Sequence, residues 1–279
     1  VRYTTVAEEI DERHESVSEF SAGAVRFLFG LGKKMLLANA VARIADAAFA
    51  AVMPSVLFAW LGAVAYTFQI YFDFSAYSDM AIGLGRMFGF HFLENFNYPY
   101  VARSVTEFWR RWHISLSTWF RDYVYIPLGG NRCSRARNVW NLFVVWFLTG
   151  MWHGASWNFI AWGLWFFVLL VGEKFLWGKA LERLPSLVRH AYAMVLVVFS
   201  WVLFRAETLT AAAAYFAAMF GSSGVWCGSR VVYYALEFWP ELLCCCLGNI
   251  NAVLLTGHHA DDKTDFFAVP LIETIAVSG

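Results

Sequence analysis

Charged side chains are scarce in this 279-residue sequence. Asp, Glu, Lys and Arg make up 15% of the residues, against about 25% in soluble domains, whereas hydrophobic residues make up 59%. So few charges cannot cover a surface that faces water, and the composition therefore predicts a membrane protein. An excess of one sign is also absent, because 21 basic and 21 acidic residues cancel. That balance argues against a nucleic-acid-binding protein, which needs a basic surplus to neutralise phosphates.

A disulfide framework and a signal peptide are also not indicated. The five cysteines are an odd number in an apolar chain, which argues against the paired framework of small secreted proteins. The first 19 residues hold six carboxylates, where a signal peptide would have a basic start and an apolar core. Because the chain begins at Val1 rather than Met, we expect a fragment whose start is missing.

Long runs without charged residues predict where the chain crosses a membrane, since about 20 mostly apolar residues in a helix span the hydrocarbon core. The run from Ala47 to Phe72 predicts one tilted helix, which Pro54 can kink. The run of 35 residues from Asn138 to Gly172 is too long for one helix and predicts two helical pieces that meet near Gly150 to Ser156. Weaker candidates are Phe27 to Phe49, Leu187 to Phe204, Thr210 to Trp226 and Val231 to Leu255.

Lys33 and Lys34 split the first of the weaker candidates, which favours an interfacial or re-entrant amphipathic helix there. The expected fold class is therefore all-α: a polytopic integral membrane helical protein with a re-entrant or interfacial helical segment. Residues 1–257 are expected to form the membrane domain, and residues 258–279 an atypical polar and apolar tail. The stretch from Arg86 to Arg137 contains eight Arg and three acidic residues, and by the positive-inside rule we expect it on the cytoplasmic side.

Ser104 and Glu107 have the spacing of a capping box, which predicts that a helix starts at Ser104. His113 then falls on an aromatic stripe at helical spacing, and the helix is expected to end by Ile126, before Pro127. A histidine here could take part in chemistry or could bridge helices through a hydrogen bond.

A second histidine, His153, lies in the longest uncharged run, between Gly150 and Gly154. Glycines four residues apart allow another helix or a substrate to approach the backbone closely. Ionisable groups in membrane segments are costly to keep and are candidates for function. A neutral imidazole can remove a hydroxyl proton near neutral pH, although a core histidine that hydrogen bonds to a neighbouring helix is the structural alternative.

Four segments of the sequence resemble a known family: FDFSAYSDMAIGLGRMFGF from Phe72, NFNYPY from Asn95, FWRRWHISLSTWFRDYVYIPLGGNR from Phe108 and TGMWHGASWNFIAWG from Thr149. Together they resemble the membrane-bound O-acyltransferase family, and within it the bacterial alginate O-acetyltransferase-like branch. The likeness covers roughly residues 1–205. It implies that His153 is catalytic, that His113 is a second essential or structural residue, and that further spans precede Val1 and follow His153.

The resemblance implies an enzyme in the bacterial plasma membrane that moves an acyl group, with acetyl expected, from a cytoplasmic thioester donor to a hydroxyl. Acetyl-CoA or another acyl thioester would be the donor, and a periplasmic or extracellular polysaccharide or relay protein would be the acceptor, as in alginate O-acetylation. Membrane lipid is an expected partner, whereas a nucleic acid, a bound cofactor and a metal ion are not expected. Arg132, Arg135 and Arg137 could contact the donor phosphates, although topology alone explains their position.

Two other functions stay open at this stage. A multi-span transporter or proton-relay protein could use a midplane histidine, but this reading does not explain the Arg-rich segment around His113. A non-catalytic assembly subunit is the third reading. Asp73 and Asp79 are six residues apart, on different helix faces, and are expected to anchor structure rather than form an acid/base pair.

Overall fold

The structure, a computed structural model, describes residues 3–255, and all of the regular secondary structure in that range is helical. This confirms the all-α prediction. The chain divides into two compact units, one formed by residues 3–97 and 195–251 and the other by residues 98–194. The predicted boundary at 257 and the tail at 258–279 lie outside the described residues.

Thirteen α-helices follow one another in the described part of the chain. They are α1 (Tyr3–Glu12), α2 (Val17–Gly32), α3 (Asn39–Phe49), α4 (Val56–Met87), α5 (Val105–Arg111), α6 (Ile114–Phe120), α7 (Arg135–His153), α8 (Trp157–Gly172), α9 (Gly178–Glu182), α10 (Ser186–Arg205), α11 (Leu209–Met219), α12 (Ser229–Glu237) and α13 (Trp239–Leu255). Segments of π-helix at Lys33–Ala38, Arg121–Tyr125 and Glu173–Trp177 follow α2, α6 and α8, and a short 3₁₀ helix covers Pro99–Val101.

Within residues 3–255, three helical stretches are long and apolar enough to cross a membrane: Val56–Met87, Trp157–Glu182 and Ser186–Arg205. A fourth results if α12 and the first part of α13, which meet at an angle of 66°, count as one broken span. These stretches confirm the prediction of a polytopic helical protein. The weaker candidate from Thr210 to Trp226 is not a full span, because α11 is 11 residues long and ends before two glycines with positive φ, Gly221 and Gly224.

The span predicted from Ala47 to Phe72 was wrong at both ends. Its first residues belong to α3, and Pro54 lies in the connection before α4 rather than inside a helix. α4 then continues past Phe72 to Met87, through Asp73 and Asp79. These carboxylates pair with cations on the preceding helical run: Asp73 with Lys34, and Asp79 with Lys33 and Arg26. Pairing lowers the cost of placing charge in an apolar helix, which a count of charges in the sequence does not reveal.

α2 packs closely on α4 because the two helices meet at glycines, which have no side chain to keep the backbones apart. A Cβ atom added to Gly23 would lie 2.5 Å from the carbonyl oxygen of Gly83. Lys33 and Lys34 interrupt the weaker span candidate from Phe27 to Phe49. Both lysines pair with carboxylates of α4. Asp73 and Asp79 are thus structural anchors, as predicted, and the interfacial or re-entrant placement of the segment stays a prediction.

In the second unit, α7 and α8 form an antiparallel pair joined by residues 154–156, which confirms that the long uncharged run folds as two pieces. Their backbones approach closely at two glycines. An added Cβ would lie 2.5 Å from Phe159 O at Gly150 and 2.4 Å from Trp146 O at Gly163. This hairpin holds the candidate site, because α7 ends at His153.

Candidate functional site

The helix predicted to start at Ser104 does start there. The Ser104 hydroxyl accepts a hydrogen bond from the backbone N–H of Glu107 at 2.9 Å. The Glu107 carboxylate reaches back to the N–H of Arg103 at 2.8 Å, one residue before the usual partner in a capping box. Glu107 also forms an ion pair with Arg111, at 3.0 Å. The start of α5 is therefore determined by local contacts.

The prediction of one continuous helix through His113 was wrong. α5 ends at Arg111, Trp112 is extended, and His113 adopts the left-handed conformation with φ of +47°. His113 is instead the N-cap of α6, where its Nδ1 accepts a hydrogen bond from the N–H of Leu116 at 3.3 Å. The helical run that follows ends at Tyr125, which agrees with the predicted stop by Ile126.

Burial of Trp112 explains the break before His113. Its ring packs against Tyr100 and Phe108, with centroids 6.1 and 5.5 Å apart, and 4% of the residue is exposed. A left-handed non-glycine residue costs about 1–2 kcal/mol, whereas truncating a buried Trp costs roughly 3–5 kcal/mol. Packing of Trp112 can thus support the strained backbone of His113, and strain of this kind clusters at functional sites.

His153 is the last residue of α7 and is partly buried among aromatic rings. Its imidazole contacts Trp152 of its own helix and Trp162 and Phe159 of α8, with centroid separations of 4.9, 4.8 and 6.2 Å. The predicted apolar surroundings are therefore confirmed. Of the two predicted alternatives for Gly150 and Gly154, the structure shows the close approach of another helix.

Side-chain and backbone atoms of α8 occupy the space at these two glycines. A Cβ atom on Gly154 would lie 2.7 Å from the Phe159 ring, and one on Gly150 would meet the Phe159 carbonyl. The glycines thus admit the neighbouring helix rather than a substrate. Gly154 also has φ of +154°, a conformation that glycine adopts at no steric cost.

The structure brings the two predicted histidines to one aromatic side chain. The His113 ring contacts Trp152 at a centroid distance of 6.1 Å, and Trp152 contacts His153. Burial, followed by the charge of His153, lowers the pKa of His113 to about 4. His113 lies between α5 and α6, outside the three candidate spans, and its imidazole is neutral near pH 7.

A cluster of buried rings joins the helices that carry these histidines. Trp162 of α8 is 1% exposed and contacts both His153 and Trp109 of α5. Trp109 also packs edge to face on Trp146 of α7, at 4.7 Å, and on Phe166 of α8, at 4.8 Å. Helix α5, which leads to His113, is therefore held by the same pair of helices that presents His153.

The three arginines proposed to contact the donor lie far from the histidines. Arg132, Arg135 and Arg137 are exposed and lie before or in the first turn of α7. Because α7 has 19 residues and rises 1.5 Å per residue, about 27 Å separates this end from His153. The guanidinium of Arg135 lies over the Phe175 ring, and Arg137 donates to the carbonyl of Leu128. The structure thus does not bring these arginines to the histidines.

A polar cluster lies near the arginines, and no local sequence pattern predicted it. The side-chain amide of Asn138 donates to the Tyr125 hydroxyl and to the carbonyl of Gly130, each at 2.7 Å. Lys174 donates to the same hydroxyl at 3.3 Å and to Asn131. An Asn at the start of a charge-free run was the available signal, since a buried amide requires hydrogen-bonding partners.

Among the residues that the structure describes, no group of three or more His, Cys, Asp and Glu side chains is placed to hold a metal ion. Cys245 is buried while Cys244 and Cys246 are exposed, so the three consecutive thiols point in different directions, as their helical spacing predicts. The adjacent His258 and His259 lie outside the described residues, so the structure does not test them as metal ligands.

The sequence profile of the membrane-bound O-acyltransferase family matches residues 10–214. The chain therefore belongs to this family, which confirms the resemblance found in the motifs. It is 49% identical over 226 residues to the probable alginate O-acetylase AlgI of Pseudomonas aeruginosa, an alignment that covers 81% of this chain and 43% of that protein.

Two further relatives carry other names. The chain is 40% identical over 208 residues to the peptidoglycan O-acetyltransferase of Helicobacter pylori, covering 73% of this chain and 39% of that protein. It is 33% identical over 150 residues to the teichoic acid D-alanyltransferase of Bacillus subtilis, covering 50% and 38% of the two chains. The chain thus spans less than half the length of these relatives.

Proposed function

We propose that this chain is the histidine-bearing part of a membrane-embedded O-acyltransferase that transfers an acetyl group to a hydroxyl of an exopolysaccharide or of a relay protein. Family membership supports acyl transfer in general. Acetyl is favoured because the relatives with 49% and 40% identity are named for O-acetylation, whereas the D-alanyl relative is 33% identical over a shorter stretch.

One observation carries this proposal: His113 and His153, which are 40 positions apart in the sequence, both contact Trp152. His153 is the last residue of α7 and His113 is the N-cap of α6, so both histidines lie at helix ends. Both histidines are partly exposed, so a second molecule can reach them. Two imidazoles at one aromatic side chain can act together in an acyl transfer, one on the transferred proton and the other on the thioester carbonyl.

The proposed reaction is direct transfer. His153 removes the proton of the acceptor hydroxyl as that oxygen attacks the thioester carbonyl. The C–S bond then breaks, and the proton passes from His153 to the departing thiolate, so that the ester and the free thiol are the products. A positioned general base contributes roughly a hundred- to ten-thousandfold to such a step.

His113 is a second residue of this site in the proposal. Its neutral imidazole can donate or accept a hydrogen bond without bringing a positive charge next to His153. The hydrogen bond from the N–H of Leu116 and the contact with Trp152 orient the His113 ring. Preorganised groups of this kind stabilise the charge that develops on the carbonyl oxygen of the thioester.

The donor is proposed to be an elongated acyl thioester such as acetyl-CoA, approaching from the cytoplasmic side of a bacterial plasma membrane. Exposed Arg132, Arg135 and Arg137 offer guanidinium groups that suit phosphate oxygens. Their separation from His153 requires that the phosphates and the acyl end of the donor lie far apart. The same three arginines also support the placement of the loop that contains them on the cytoplasmic side of the membrane.

A thioester-consumption assay on membranes that contain the full-length protein tests the proposal. His153→Ala is compared with His91→Ala, which changes an exposed histidine of the other unit. We expect the first variant to lose acceptor-dependent thioester consumption and the second to retain it. Retention by both variants would contradict the proposal, and solute or proton movement that depends on His153 without thioester use would support the transporter reading.

A further inference from the structure

Glu173 is a buried carboxylate in the π-helical segment that follows α8, and 8% of it is exposed. Its Oε1 accepts a hydrogen bond from the N–H of Val105 at 2.7 Å. Its Oε2 accepts from the N–H of Thr106 at 2.8 Å and from the Thr106 hydroxyl at 2.6 Å. The partners are 67 and 68 positions earlier in the sequence, so the contact ties two distant segments together.

This contact completes the hydrogen bonding of the first turn of α5. The Ser104 hydroxyl takes the N–H of Glu107, and the N–H of Phe108 donates to the carbonyl of Ser104. Only the amides of Val105 and Thr106 are left to be satisfied in that turn, and Glu173 accepts both. A buried carboxylate is costly unless its oxygens are hydrogen bonded, and both oxygens of Glu173 are.

α8 and the segment after it therefore contact His153 at one end and the start of α5 at the other. Near its start, Phe159 and Trp162 contact the His153 ring. Just beyond its end, Glu173 holds the first residues of α5, a helix of only seven residues that is followed by Trp112 and His113. A shift of Glu173 would be transmitted along this short helix to His113.

We propose that Glu173 is a positioning residue for His113, holding α5 in the place that brings the His113 imidazole to Trp152. Its effect on catalysis rests on the proposed function, whereas its effect on the position of His113 does not. Glu173 acts through the first turn of α5, by accepting hydrogen bonds from the N–H groups of Val105 and Thr106 and from the Thr106 hydroxyl.

The primary test compares Glu173→Gln with Glu182→Gln, which makes the same change at an exposed carboxylate nine residues later. Glutamine replaces one acceptor oxygen by an NH₂ group, which would face a backbone N–H, donor against donor. We expect Glu173→Gln to lower kcat by up to about a hundredfold, the effect of a misplacement of about 1 Å, with the donor KM unchanged. Glu182→Gln is expected to leave both values unchanged.

A second readout follows the position of His113 without using activity. Diethyl pyrocarbonate modifies neutral imidazoles, and mass spectrometry gives the labelling of His113 relative to the exposed His91. We expect Glu173→Gln to change this ratio severalfold while membrane yield stays near that of the wild type. An unchanged ratio together with an unchanged kcat would overturn the inference. A changed ratio in a protein that shows no acyl transfer would support the positioning role and reject the proposed function.

A milder pair of variants covers the case in which Glu173→Gln fails to insert. Thr106→Val removes one hydroxyl donor to Glu173, and Thr106→Ser keeps it. We expect Thr106→Val to shift kcat and the labelling ratio in the same direction as Glu173→Gln, by less, and Thr106→Ser to match the wild type. Equal values for the valine and serine variants would overturn the positioning role.

Discussion

His153 and Trp162 meet edge to face, with 4.8 Å between ring centroids and an interplanar angle of 82°. Trp162 is almost completely buried and also contacts Trp109 of α5. The Trp162 indole thus packs beside the imidazole that is proposed to act as the base. It also supports the helix that leads to His113. Variants of His153 and His113 separate the chemical roles of the two imidazoles from this supporting role.

His153→Gln is expected to remove acyl transfer while the protein stays folded and inserted. Glutamine keeps hydrogen-bonding capacity but cannot take up a proton near neutral pH, so turnover should fall by at least about a hundredfold. Turnover is measured on membranes with equal amounts of protein, and His91→Gln is the matched control. Near-normal turnover in His153→Gln with full expression would exclude the general-base role.

His113→Asn tests whether His113 has a chemical role or only caps α6. Asparagine tolerates the left-handed conformation and is a favoured N-cap, so the fold should persist. We expect acyl transfer to be lost while membrane yield is kept. His113→Ala removes the cap as well and should also lower stability by about 1 kcal/mol. Full activity in His113→Asn would assign His113 a structural role alone.

Gly163→Ala is expected to destabilise the α7–α8 pair. The added Cβ would lie 2.4 Å from the carbonyl oxygen of Trp146, and backbone atoms cannot move aside as a flexible side chain can. Overpacking of this kind costs roughly 1–3 kcal/mol. Gly32→Ala is the control, because nothing lies within 4 Å of its added Cβ. Thermal unfolding in detergent measures the difference, and equal Tm values would contradict the close contact.

Arg132→Ala, Arg135→Ala and Arg137→Ala are expected to raise the donor KM with little change in kcat, the signature of lost uniform binding. Arg183→Ala, at another exposed arginine, serves as the control for a general effect of charge. Steady-state rates across a range of thioester concentrations give both constants. If all three KM values match the control, the arginines retain only their role in topology.

A single cysteine at position 134 tests the side of the membrane on which the arginine-rich loop lies. Ser134 is exposed and precedes α7, so a cysteine there is accessible to reagents on its own side. In a variant without the five native cysteines, we expect an impermeant thiol reagent to label it only after the cells are permeabilised. Efficient labelling in intact cells would reverse the predicted topology.

Local sequence patterns predicted the helical class, the division of the long apolar run near Gly150 to Ser156 and the start of α5 at Ser104. Each of these depends on neighbouring residues: apolar runs of spanning length, glycines between aromatic residues, and a cap with its partner three positions later. The two histidines were found in the same way, through short motifs around His113 and His153.

Contacts between distant residues decided what the sequence could not show. α4 continues through Asp79 because Arg26, 53 positions earlier, pairs with it. The chain breaks at His113 where Trp112 packs against Tyr100, and α5 is held by Glu173 at a separation of 67 positions. Ion pairs, buried rings and buried carboxylates take their free energy from partners that only the folded chain supplies, so no local pattern records them.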